Sequence, residues 1–260
     1  MGALHRGHRA LLERSVNECD CTVASVFVNP TQFDQSSDLA AYPRTPEDDE
    51  TLLREAGCDY LYRPSTEDVY PQGMRMSTTD RINFGTLTER MEGAYRPGHF
   101  AGVAQVVSRL LEIVQPGRLY LGQKDYQQVA VIRHLIKQLD YSVEVVTVPT
   151  VRETDGLALS SRNRRLSPDE RAAAGKINQH LAVVAAGLRS GWPARELEHL
   201  ATEGLSRVPL LEPEYVEVVD GSTLLPYEDG QHVEELVVAT AVRVGSVRLI
   251  DNRIAYRANP

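Results

Sequence analysis

The sequence has few cysteines and no long apolar run. Cys19, Cys21 and Cys58 are its three cysteines, an odd number within apolar segments, which favours buried, reduced thiols over a disulfide framework or a zinc site. Polar residues interrupt even the apolar stretch 103–114, so no segment approaches the roughly 20 apolar residues that a membrane helix needs. The first residues have neither the basic region nor the apolar core of a secretory signal. We therefore expect a cytoplasmic protein without a membrane segment.

Positive charge is also in short supply. The 260 residues include 28 lysines and arginines against 36 aspartates and glutamates, which gives a net charge of −8 and a pI near 5.4. This balance argues against a general nucleic-acid binder. A hydrophobic fraction of 42% and a mean hydropathy of −0.31 are ordinary for a globular chain. At about 150 residues per domain, the length predicts two modest domains.

Strands and helices alternate through the first half of the sequence. The predicted strands are 22–28, 60–62, 118–121 and 142–151, and the predicted helices are 46–56, 102–114 and 126–139. Strands that alternate with helices of this length form a parallel sheet with helices on both faces. The sequence thus predicts a doubly wound α/β domain over 1–150, with ligands at the carboxyl ends of its strands.

The pattern changes near residue 151. Ser167 to Glu170 form a capping box with Pro168 at the first helical position, which predicts a helix from there to about 187. A further helix is predicted at 194–205, and strands at 215–219, 236–243 and 246–249. We expect a second, smaller α+β domain over 151–260. Residues 73–95 show no clear periodicity and are predicted to form a working loop.

The common phosphate and nucleophile signatures are missing, since no P-loop, GxGxxG fingerprint or GxSxG elbow is present. A different cluster, His5-Arg6-Gly7-His8, precedes an amphipathic segment, where the N–H groups of a helix favour an anion. Gly7 would let a phosphate approach the backbone, and protonated imidazoles of His5 and His8 could donate to phosphoryl oxygens. A metal-binding pair or ordinary surface histidines would give the same pattern.

Two further clusters combine positive charge with small or polar residues. Lys124 lies in Gly122-Gln123-Lys124-Asp125, between a predicted strand and a predicted helix, where a turn can bring an ammonium group to a phosphate. The segment 159–163, Leu-Ser-Ser-Arg-Asn, follows Gly156 at the predicted domain junction and could close over a triphosphate. Taken alone, Lys124 fits an exposed loop lysine, and 159–163 fits a solvated linker.

Amide side chains form a third kind of cluster. Asn29-Pro30-Thr31-Gln32 follows the first predicted strand, and Gln127 and Gln128 open a later helix. Amides orient hydroxyls and carboxylates without adding charge. Gln128 could equally be an ordinary exposed helix residue.

Six motifs lie in order along the chain. They are MGALHRGH (1–8), FVNPTQF (27–33), YPRT (42–45), RPGHFAGV (96–103), GQKDYQQ (122–128) and LSSRN (159–163). Together they resemble the pantoate–β-alanine ligase family of HIGH-motif nucleotidyltransferases, over nearly the whole chain. The resemblance implies a Rossmann-like fold in which ATP and pantoate form pantoyl adenylate and pyrophosphate. The amine of β-alanine then attacks the adenylate and releases AMP and pantothenate. Mg²⁺ with the ATP and a homodimer are also implied.

The resemblance assigns roles residue by residue. It implies His5, His8, Lys124 and Arg162 as catalytic residues, with His8 as proton donor to the leaving pyrophosphate and Lys124 as the group that stabilises the pentavalent transition state. Gln32 and Gln128 would hold pantoate, and Gln32 would also face β-alanine. The residues implied in ATP binding are Met1, Gly2, Ala3, Leu4, His5, Arg6, Gly7, His8, Gly122, Gln123, Lys124, Asp125, Val151, Leu159, Ser160, Ser161 and Arg162. No metal ligand is assigned.

Some residues depart from the family pattern. Arg6 stands where an acidic residue is common, Gln123 where Glu is common and Leu159 where Met is frequent, and no group that the mechanism needs is lost. Family members also have a strand that ends in Pro-Thr directly before the residue matching Met1. We therefore expect the first, central strand of the sheet to be missing from the chain as given.

Two other functions stay open at the level of the sequence. A related HIGH-motif enzyme could transfer AMP or CMP to a phosphate ester, but it would need basic residues where Gln32 and Gln128 stand. A truncated nucleotide-binding module without catalysis would bind a nucleotide and turn nothing over.

Overall fold

Helices and short strands alternate from residue 6 to residue 148, as the sequence predicts. The computed structural model describes residues 2–33, 36–74 and 78–257. The helices of this half are α1 (Arg6–Glu18), α2 (Ser36–Ala41), α3 (Pro46–Glu55), α4 (Thr66–Val69), α5 (Glu92–Tyr95), α6 (His99–Val114) and α7 (Tyr126–Gln138). The strands are β1 (Val23–Ser25), β2 (Tyr60–Tyr62), β3 (Arg118–Gly122) and β4 (Glu144–Val148). Single 3₁₀ turns lie at Pro30–Gln32, Thr78–Arg81, Gly85–Thr88 and Gln123–Asp125.

These four strands pair in parallel. Ala24 of β1 lies opposite Leu61 of β2, and Tyr120 of β3 lies opposite Val146 of β4. The described residues place the two pairs in separate sheets. The connection between β1 and β2 contains α2 and α3, and that between β3 and β4 contains α7, because a parallel connection has to return to the same end of the sheet. The predicted parallel α/β class is confirmed.

Helices α6 and α7 build the apolar core beside β3 and β4. Leu111 of α6 is in one buried cluster with Ile132 and Ile136 of α7, and half-buried side chains of both strands pack against it. α6 begins at His99 rather than at 102, because Gly98 adopts a left-handed conformation with φ +81 that turns the chain into the helix. This earlier start puts the His99 side chain on the helix that carries the RPGHFAGV motif.

The second half of the chain has its own core. It comprises α8 (Pro168–Arg189), α9 (Ala194–Ser206), β5 (Leu211–Asp220), β6 (Glu235–Val244) and β7 (Val247–Arg257), after a 3₁₀ turn at Ser161–Arg165. The capping box at Ser167 is confirmed, since its hydroxyl accepts from the N–H of Glu170 and the Glu170 carboxylate accepts from the N–H of Ser167. In the part of the chain that the structure describes, no helix combines the length and the apolar character needed to cross a membrane.

The strands of this half form an antiparallel sheet in the order β5-β6-β7. They are longer than predicted, because polar residues such as Arg248 and Asp251 interrupt the apolar pattern of β7 without interrupting its pairing with β6. α8 and α9 cover one face of the sheet, where Leu181 and Leu205 pack with Val238 in the largest buried cluster. The predicted α+β character is therefore confirmed.

The other face of this sheet packs against the first half of the chain. Met91 and Tyr126 share a buried cluster with Val219, Val237 and Ala239 of the sheet. This packing brings β7 against the 3₁₀ turn at Gln123–Asp125. The sheet of the second half thus forms a wall of the cleft where the predicted site residues lie.

The three cysteines are free thiols. Cys21 is exposed and the other two are half-buried, so the prediction that all three are buried is wrong. Cys19 ends α1, where its sulfur lies 3.3 Å from the Tyr120 hydroxyl. Burial raises the pKa of the Cys58 thiol, which keeps that group protonated at neutral pH.

Candidate active site

A buried carboxylate holds the segment that precedes α1. The N–H groups of Ala3 and Leu4 donate to the two carboxylate oxygens of Asp49 at 3.0 and 2.6 Å, and the Thr45 hydroxyl donates to the same group at 3.0 Å. Asp49 is 3% exposed and lies in the first turn of α3, where the positive end of the helix dipole favours a negative charge. Ala3 adopts a left-handed backbone with φ 47. The carboxylate therefore stabilises a strained turn that directly precedes the histidine segment.

The two histidines cap the first turn of α1. Nδ1 of His5 accepts from the N–H of Gly7 at 3.1 Å, and Nδ1 of His8 accepts from the N–H of His5 at 3.3 Å. A backbone N–H can only donate, so in each neutral ring the hydrogen is on Nε2. Gly7 is required here, because a Cβ at this position would lie 2.9 Å from the His5 ring.

Both imidazoles are neutral in this environment. Burial lowers the pKa of His5 to about 4, and the positive charges of Lys124 and Arg164 add to the effect. Burial also holds the pKa of His8 well below its usual range, with the charge on His5 contributing. The hypothesis of protonated imidazoles is therefore replaced by neutral rings that present Nε2–H donors. A bound polyphosphate would raise both pKa values, since negative charge favours the protonated form.

Lys124 lies in the turn between β3 and α7, as predicted. Its side chain is 19% exposed, and its ammonium nitrogen lies 3.4 Å from a carboxylate oxygen of Asp125. Its charge acts on both His5 and His8. Gly122 ends β3 and Gln123 begins the turn, so the whole segment 122–125 lies at the carboxyl end of a parallel strand, where the fold class predicts a ligand.

The segment 151–165 forms a hairpin and a 3₁₀ turn beside α1. Arg152 bridges to Ala158, and the N–H of Leu159 donates to the carbonyl of Val151 at 3.0 Å. Ser160 caps the 3₁₀ turn through a hydrogen bond from the N–H of Arg162. Leu159 lies close to Gly7, whose Cβ, if present, would be 3.6 Å from the Leu159 Cβ. The serines and Arg162 are therefore held next to the histidine segment, as the predicted phosphate loop requires.

Tyr42 contacts this loop through its hydroxyl and its ring. The Ser161 hydroxyl donates to the Tyr42 hydroxyl at 3.1 Å, and the Arg162 guanidinium lies 5.5 Å from the centre of the Tyr42 ring. A guanidinium over an aromatic face is attracted by the negative charge of the ring surface. Arg6, beside the histidines, pairs with Glu153 of the hairpin, so an ion pair connects the histidine segment to the hairpin.

The predicted substrate amide Gln32 is anchored through its backbone. Its carbonyl accepts from Nδ1 of His99 at 2.8 Å and from the Arg96 guanidinium at 3.4 Å. The Asn29 side chain, which is 2% exposed, donates to the Gln32 side-chain oxygen at 3.5 Å and to the Gly102 carbonyl at 3.2 Å. Arg96 and Asn29 therefore orient Gln32 from two sides.

The two glutamines at the start of α7 have different surroundings. Gln127 is buried; it donates to the carbonyls of Leu87 and Arg90 at 2.9 Å and accepts from the N–H of Glu92. Gln128 is half-buried and lines a cavity of about 40 Å³ between the two halves of the chain, together with Lys124, Arg96 and His99. Gln127 thus stabilises the fold, whereas Gln128 faces the candidate site.

The structure brings most predicted site residues to one cleft. The histidine segment, the Lys124 turn and the 159–162 loop contact or act on one another, and Gln32 and Gln128 lie on the side lined by Arg96 and His99. Met1 lies outside the described residues. Val151 is half-buried, and its carbonyl accepts the hydrogen bond from the N–H of Leu159 that closes the hairpin.

Sequence reasoning did not assign roles to several residues that build this cleft. Tyr42, Arg96 and His99 lie inside motifs that the sequence displays, so the motifs themselves were the available signal. Asp49 and Asn252 lie outside them, and only their contacts in the folded chain reveal their positions. Among the described residues, no group of three or more His, Cys, Asp or Glu side chains is arranged to hold a metal ion.

A parallel α/β fold that presents a histidine-capped helix and a lysine turn to one cleft defines a nucleotidyltransferase of the HIGH type. Residues 1–254 match the family described as Pantoate-beta-alanine ligase. A pantothenate synthetase of Porphyromonas gingivalis is 49% identical over 252 residues, which cover 97% of this chain and 88% of that protein. The chain belongs to the pantoate–β-alanine ligase family.

Solved structures give the same result. The crystal structure of pantothenate synthetase from Thermus thermophilus has a TM-score of 0.92 and 46% identity, and the match covers 98% of this chain and 91% of that one. A pantoate-beta-alanine ligase from Francisella tularensis, complexed with beta-gamma ATP and β-alanine, has a TM-score of 0.80 and 32% identity over 98% of this chain and 87% of that one. The family, the fold class and the ligase activity expected from the sequence are confirmed.

Proposed function

We propose that this ligase makes pantothenate from pantoate, β-alanine and ATP in the cleft between the histidine segment and the C-terminal sheet. In the first step a pantoate carboxylate oxygen attacks the α-phosphorus, and the bond from that phosphorus to the pyrophosphate oxygen breaks. In the second step the amine of β-alanine attacks the acyl carbon, and AMP leaves. The observation that carries the proposal is the assembly of donors for phosphate (His5, His8, Lys124) beside amides for a carboxylate and hydroxyls (Gln32, Gln128).

The residues proposed for ATP surround the start of α1. The Nε2–H groups of His5 and His8, at the positive end of the α1 dipole, would donate to phosphate oxygens. Lys124 would neutralise charge that builds up as pyrophosphate leaves, because in-line transfer depends on positioning and charge stabilisation rather than on an enzyme nucleophile. Ser160, Ser161 and Arg162 would close over the phosphates, and the hairpin that includes Val151 would face the adenine.

His8 is proposed as the donor to pyrophosphate. Its ring carries a hydrogen on Nε2 in the free enzyme, and bound triphosphate would raise its pKa, so the ring can release and regain a proton during turnover. Gln32 and Gln128 would hold pantoate, with Gln32 also facing β-alanine. The Arg96 and His99 side chains orient Gln32 by binding its backbone carbonyl.

Mg²⁺ is proposed to enter with ATP. This ion takes oxygen ligands and commonly uses substrate phosphates with one or two carboxylates. Glu92, Asp125 and Asp251 are carboxylates that line the cavity, and arginines hold Glu92 and Asp251. Asp125, whose side chain is 47% exposed and contacts Lys124 at 3.4 Å, is the more accessible carboxylate and would hold the ion, directly or through water. The ion would neutralise charge on the phosphates.

The proposed domain division is 1–150 for ATP and pantoate and 151–260 for closure over the site. Separate buried clusters support it, since the largest draws its members from Leu157 to Ala255. A cytoplasmic homodimer is proposed from the family resemblance. Light scattering coupled to gel filtration tests the dimer, and a single peak at the mass of one chain would contradict it.

Pantoate-dependent exchange of labelled pyrophosphate into ATP tests the first half-reaction, and addition of β-alanine tests the second. We expect exchange only with pantoate, and pantothenate only after β-alanine is added. Gln128→Ala should raise the KM for pantoate at least tenfold, whereas Gln138→Ala, an exposed residue at the other end of α7, should leave it unchanged.

The same assay separates the alternatives. Exchange that depends on a phosphate ester instead of pantoate would identify another nucleotidyltransferase. Nucleotide binding without exchange, in a chain that circular dichroism shows to be folded, would identify a non-catalytic module. Either result would overturn the proposed reaction.

A further inference from the structure

Asn252 of β7 is bonded to the turn that carries Lys124. Its side-chain nitrogen donates to the carbonyl of Gln123 at 3.0 Å and to the carbonyl of Lys124 at 2.8 Å. Its side-chain oxygen accepts a hydrogen bond from the side-chain nitrogen of Gln123 at 3.2 Å. Asn252 is 2% exposed, so both amide hydrogens and the oxygen are used within the protein, and the orientation of the group is fixed.

The preceding residue holds the second phosphate-facing segment. The Asp251 carboxylate accepts two hydrogen bonds from the Arg152 guanidinium, at 2.6 and 2.9 Å. Arg152 also donates to the carbonyl of Gly156 at 3.0 Å and to the carbonyl of Asn252 at 3.1 Å. A paired, bidentate contact of this kind defines direction as well as distance. It fixes the hairpin that leads into the 159–162 loop.

We propose that Asn252 is a positioning residue for Lys124, and that Asp251 and Asn252 together set the distance between the lysine turn and the 159–162 loop. The proposal rests on the role of Lys124 in the proposed function. Lys124 has a long, flexible side chain, so the position of its ammonium group depends on how firmly its backbone is held. A displacement of about 1 Å at a reacting centre can lower a rate by about 100-fold.

Asn252 acts from the C-terminal sheet on a turn that is distant in sequence. Gln123 and Asn252 are separated by 129 positions. The carbonyls of Gln123 and Lys124 accept hydrogen bonds from the Asn252 side chain. The second half of the chain thereby holds the backbone of the turn.

Kinetics of the first half-reaction test the proposal. Asn252→Ala removes all three hydrogen bonds, and Asn252→Asp keeps the shape and the acceptor but cannot donate to both carbonyls. Each should lower the kcat of pantoate-dependent pyrophosphate exchange at least tenfold, with the KM for pantoate changed less than twofold. In the Lys124→Ala background each should lower the residual rate less than twofold, because residues that act through one group are not additive.

Asn178→Ala is the matched control. Asn178 accepts a hydrogen bond from Arg253 at 2.8 Å, so it contacts the neighbouring residue of β7 from the opposite face and does not touch the Lys124 turn. This variant should keep the exchange rate within twofold. Circular dichroism establishes that each variant is folded, and Asn252→Asp serves if Asn252→Ala is not.

A second measurement does not depend on turnover. The sequence has three lysines, Lys124, Lys137 and Lys176, so reductive methylation with ¹³C-formaldehyde gives one NMR signal for each of them besides that of the α-amino group, and Lys124→Ala assigns the Lys124 signal. Asn252→Ala should move or broaden the Lys124 signal and leave the other two unchanged, and Asn178→Ala should move none of the three.

The two measurements distinguish the failures. If the unmodified chain shows no exchange but the Lys124 signal still responds to Asn252→Ala, the proposed function fails and the positioning role stands. If exchange is normal in both Asn252 variants, or if they lower the rate equally with and without Lys124, the positioning role is overturned and the proposed function stands.

Discussion

The imidazole rings of His5 and His8 lie with their centroids 4.1 Å apart. Each ring accepts a backbone N–H through Nδ1, and burial is the main cause of the lowered pKa of each. Two rings at this distance cannot both be charged without mutual repulsion, because like charges at close range disfavour protonation. The pair therefore offers two neutral donors at the positive end of a helix.

Nitrogen NMR of the histidine side chains should show this state directly. At pH 7 we expect His5 and His8 in the neutral form with hydrogen on Nε2, and His5 should titrate with a pKa of about 4. A non-hydrolysable ATP analogue should raise the pKa of both rings, since bound phosphate favours the charged form. His199, which is on the exposed side of α9, is the internal reference. A charged His5 at pH 7 without ligand would contradict the assignment.

Lys124→Ala should lower the rate of adenylate formation far more than it weakens pantoate binding. The charge of Lys124 is expected to matter most in the transition state, where phosphate charge is redistributed. We expect kcat for exchange to fall at least 100-fold while the KM for pantoate changes less than threefold. Lys137→Ala, an exposed lysine of α7, is the control. A change confined to KM would show that Lys124 only binds substrate.

Gly102→Ala should disturb the Gln32 turn. A Cβ at Gly102 would lie 2.1 Å from the Thr31 carbonyl oxygen and 2.7 Å from the Gln32 nitrogen, so α6 or the turn has to move. We expect a loss of stability of about 1–3 kcal/mol and a higher KM for pantoate. Gly117→Ala is matched, because nothing lies within 4 Å of a Cβ there. Steady-state kinetics and chemical denaturation measure both effects, and equal behaviour of the two variants would refute the contact.

Glu92→Ala should destabilise the packing between the two halves of the chain. The Glu92 carboxylate accepts from Arg248 at 2.6 and 2.8 Å and from the Tyr215 hydroxyl at 2.9 Å. Burial raises the pKa of Glu92, but Arg248, the Tyr215 hydroxyl and the charge of Arg96 together lower it by more, so the net shift is downward. Removal would leave a buried guanidinium partly unpaired, at a loss of about 3–5 kcal/mol.

The matched control for that loss is an exposed ion pair. Arg54 and Glu50 form one on the surface of α3, and Arg54→Ala should reduce stability by less than about 1 kcal/mol. Urea unfolding followed by circular dichroism compares the two. A Glu92→Ala variant as stable as Arg54→Ala would show that the Arg248 contact contributes little.

Stability should fall as the pH drops through the range in which buried histidines resist protonation. Burial, with a contribution from the charge of Arg96, lowers the pKa of His99 from 6.5 to about 4. Between these values the unfolded chain binds a proton that the folded chain does not, so the free energy of unfolding rises with pH from about 4 to 6.5 and is level above it for this group.

The contribution of His99 is on the order of 3 kcal/mol over that range. The thermal midpoint, measured at intervals between pH 4 and pH 8, should follow this slope. His99→Gln, which keeps a donor for the Gln32 carbonyl, should reduce the slope, and His5 and His8 should account for what remains. An unchanged slope in that variant would assign the pH dependence to other groups.

Local sequence signals predict the elements well where they are dense. Pro46 and the acidic residues after it place the start of α3, and the capping box at Ser167 places the start of α8. The sequence places the start of α6 too late, because the left-handed Gly98 turns directly into the helix and no side chain marks the cap. The sequence predicts too short a strand at β7, because its polar residues Asp251 and Asn252 bond to Arg152 and to the Lys124 turn, partners that local periodicity does not show.

The candidate site follows the same division. The sequence allows most candidate site residues to be chosen, because its motifs lie in the same order as in the family that it resembles. These residues are His5, His8, Lys124, Gln32, Gln128 and 159–162. Their charge states could not, since the pKa of His5 depends on burial and on Lys124, which is far along the chain.

By itself, then, the sequence determined the alternation of strands and helices and the parallel class, because propensity and capping act over a few neighbouring positions. Its six motifs determined the choice of candidate site residues. Only the tertiary structure decided which groups orient them. Asp49 under the Ala3 turn, His99 beside Gln32 and Asn252 beneath Lys124 act across 46, 67 and 128 positions of the chain. Contacts over such separations exist only once the chain has packed, and they establish the protonation state and the position of each reacting group.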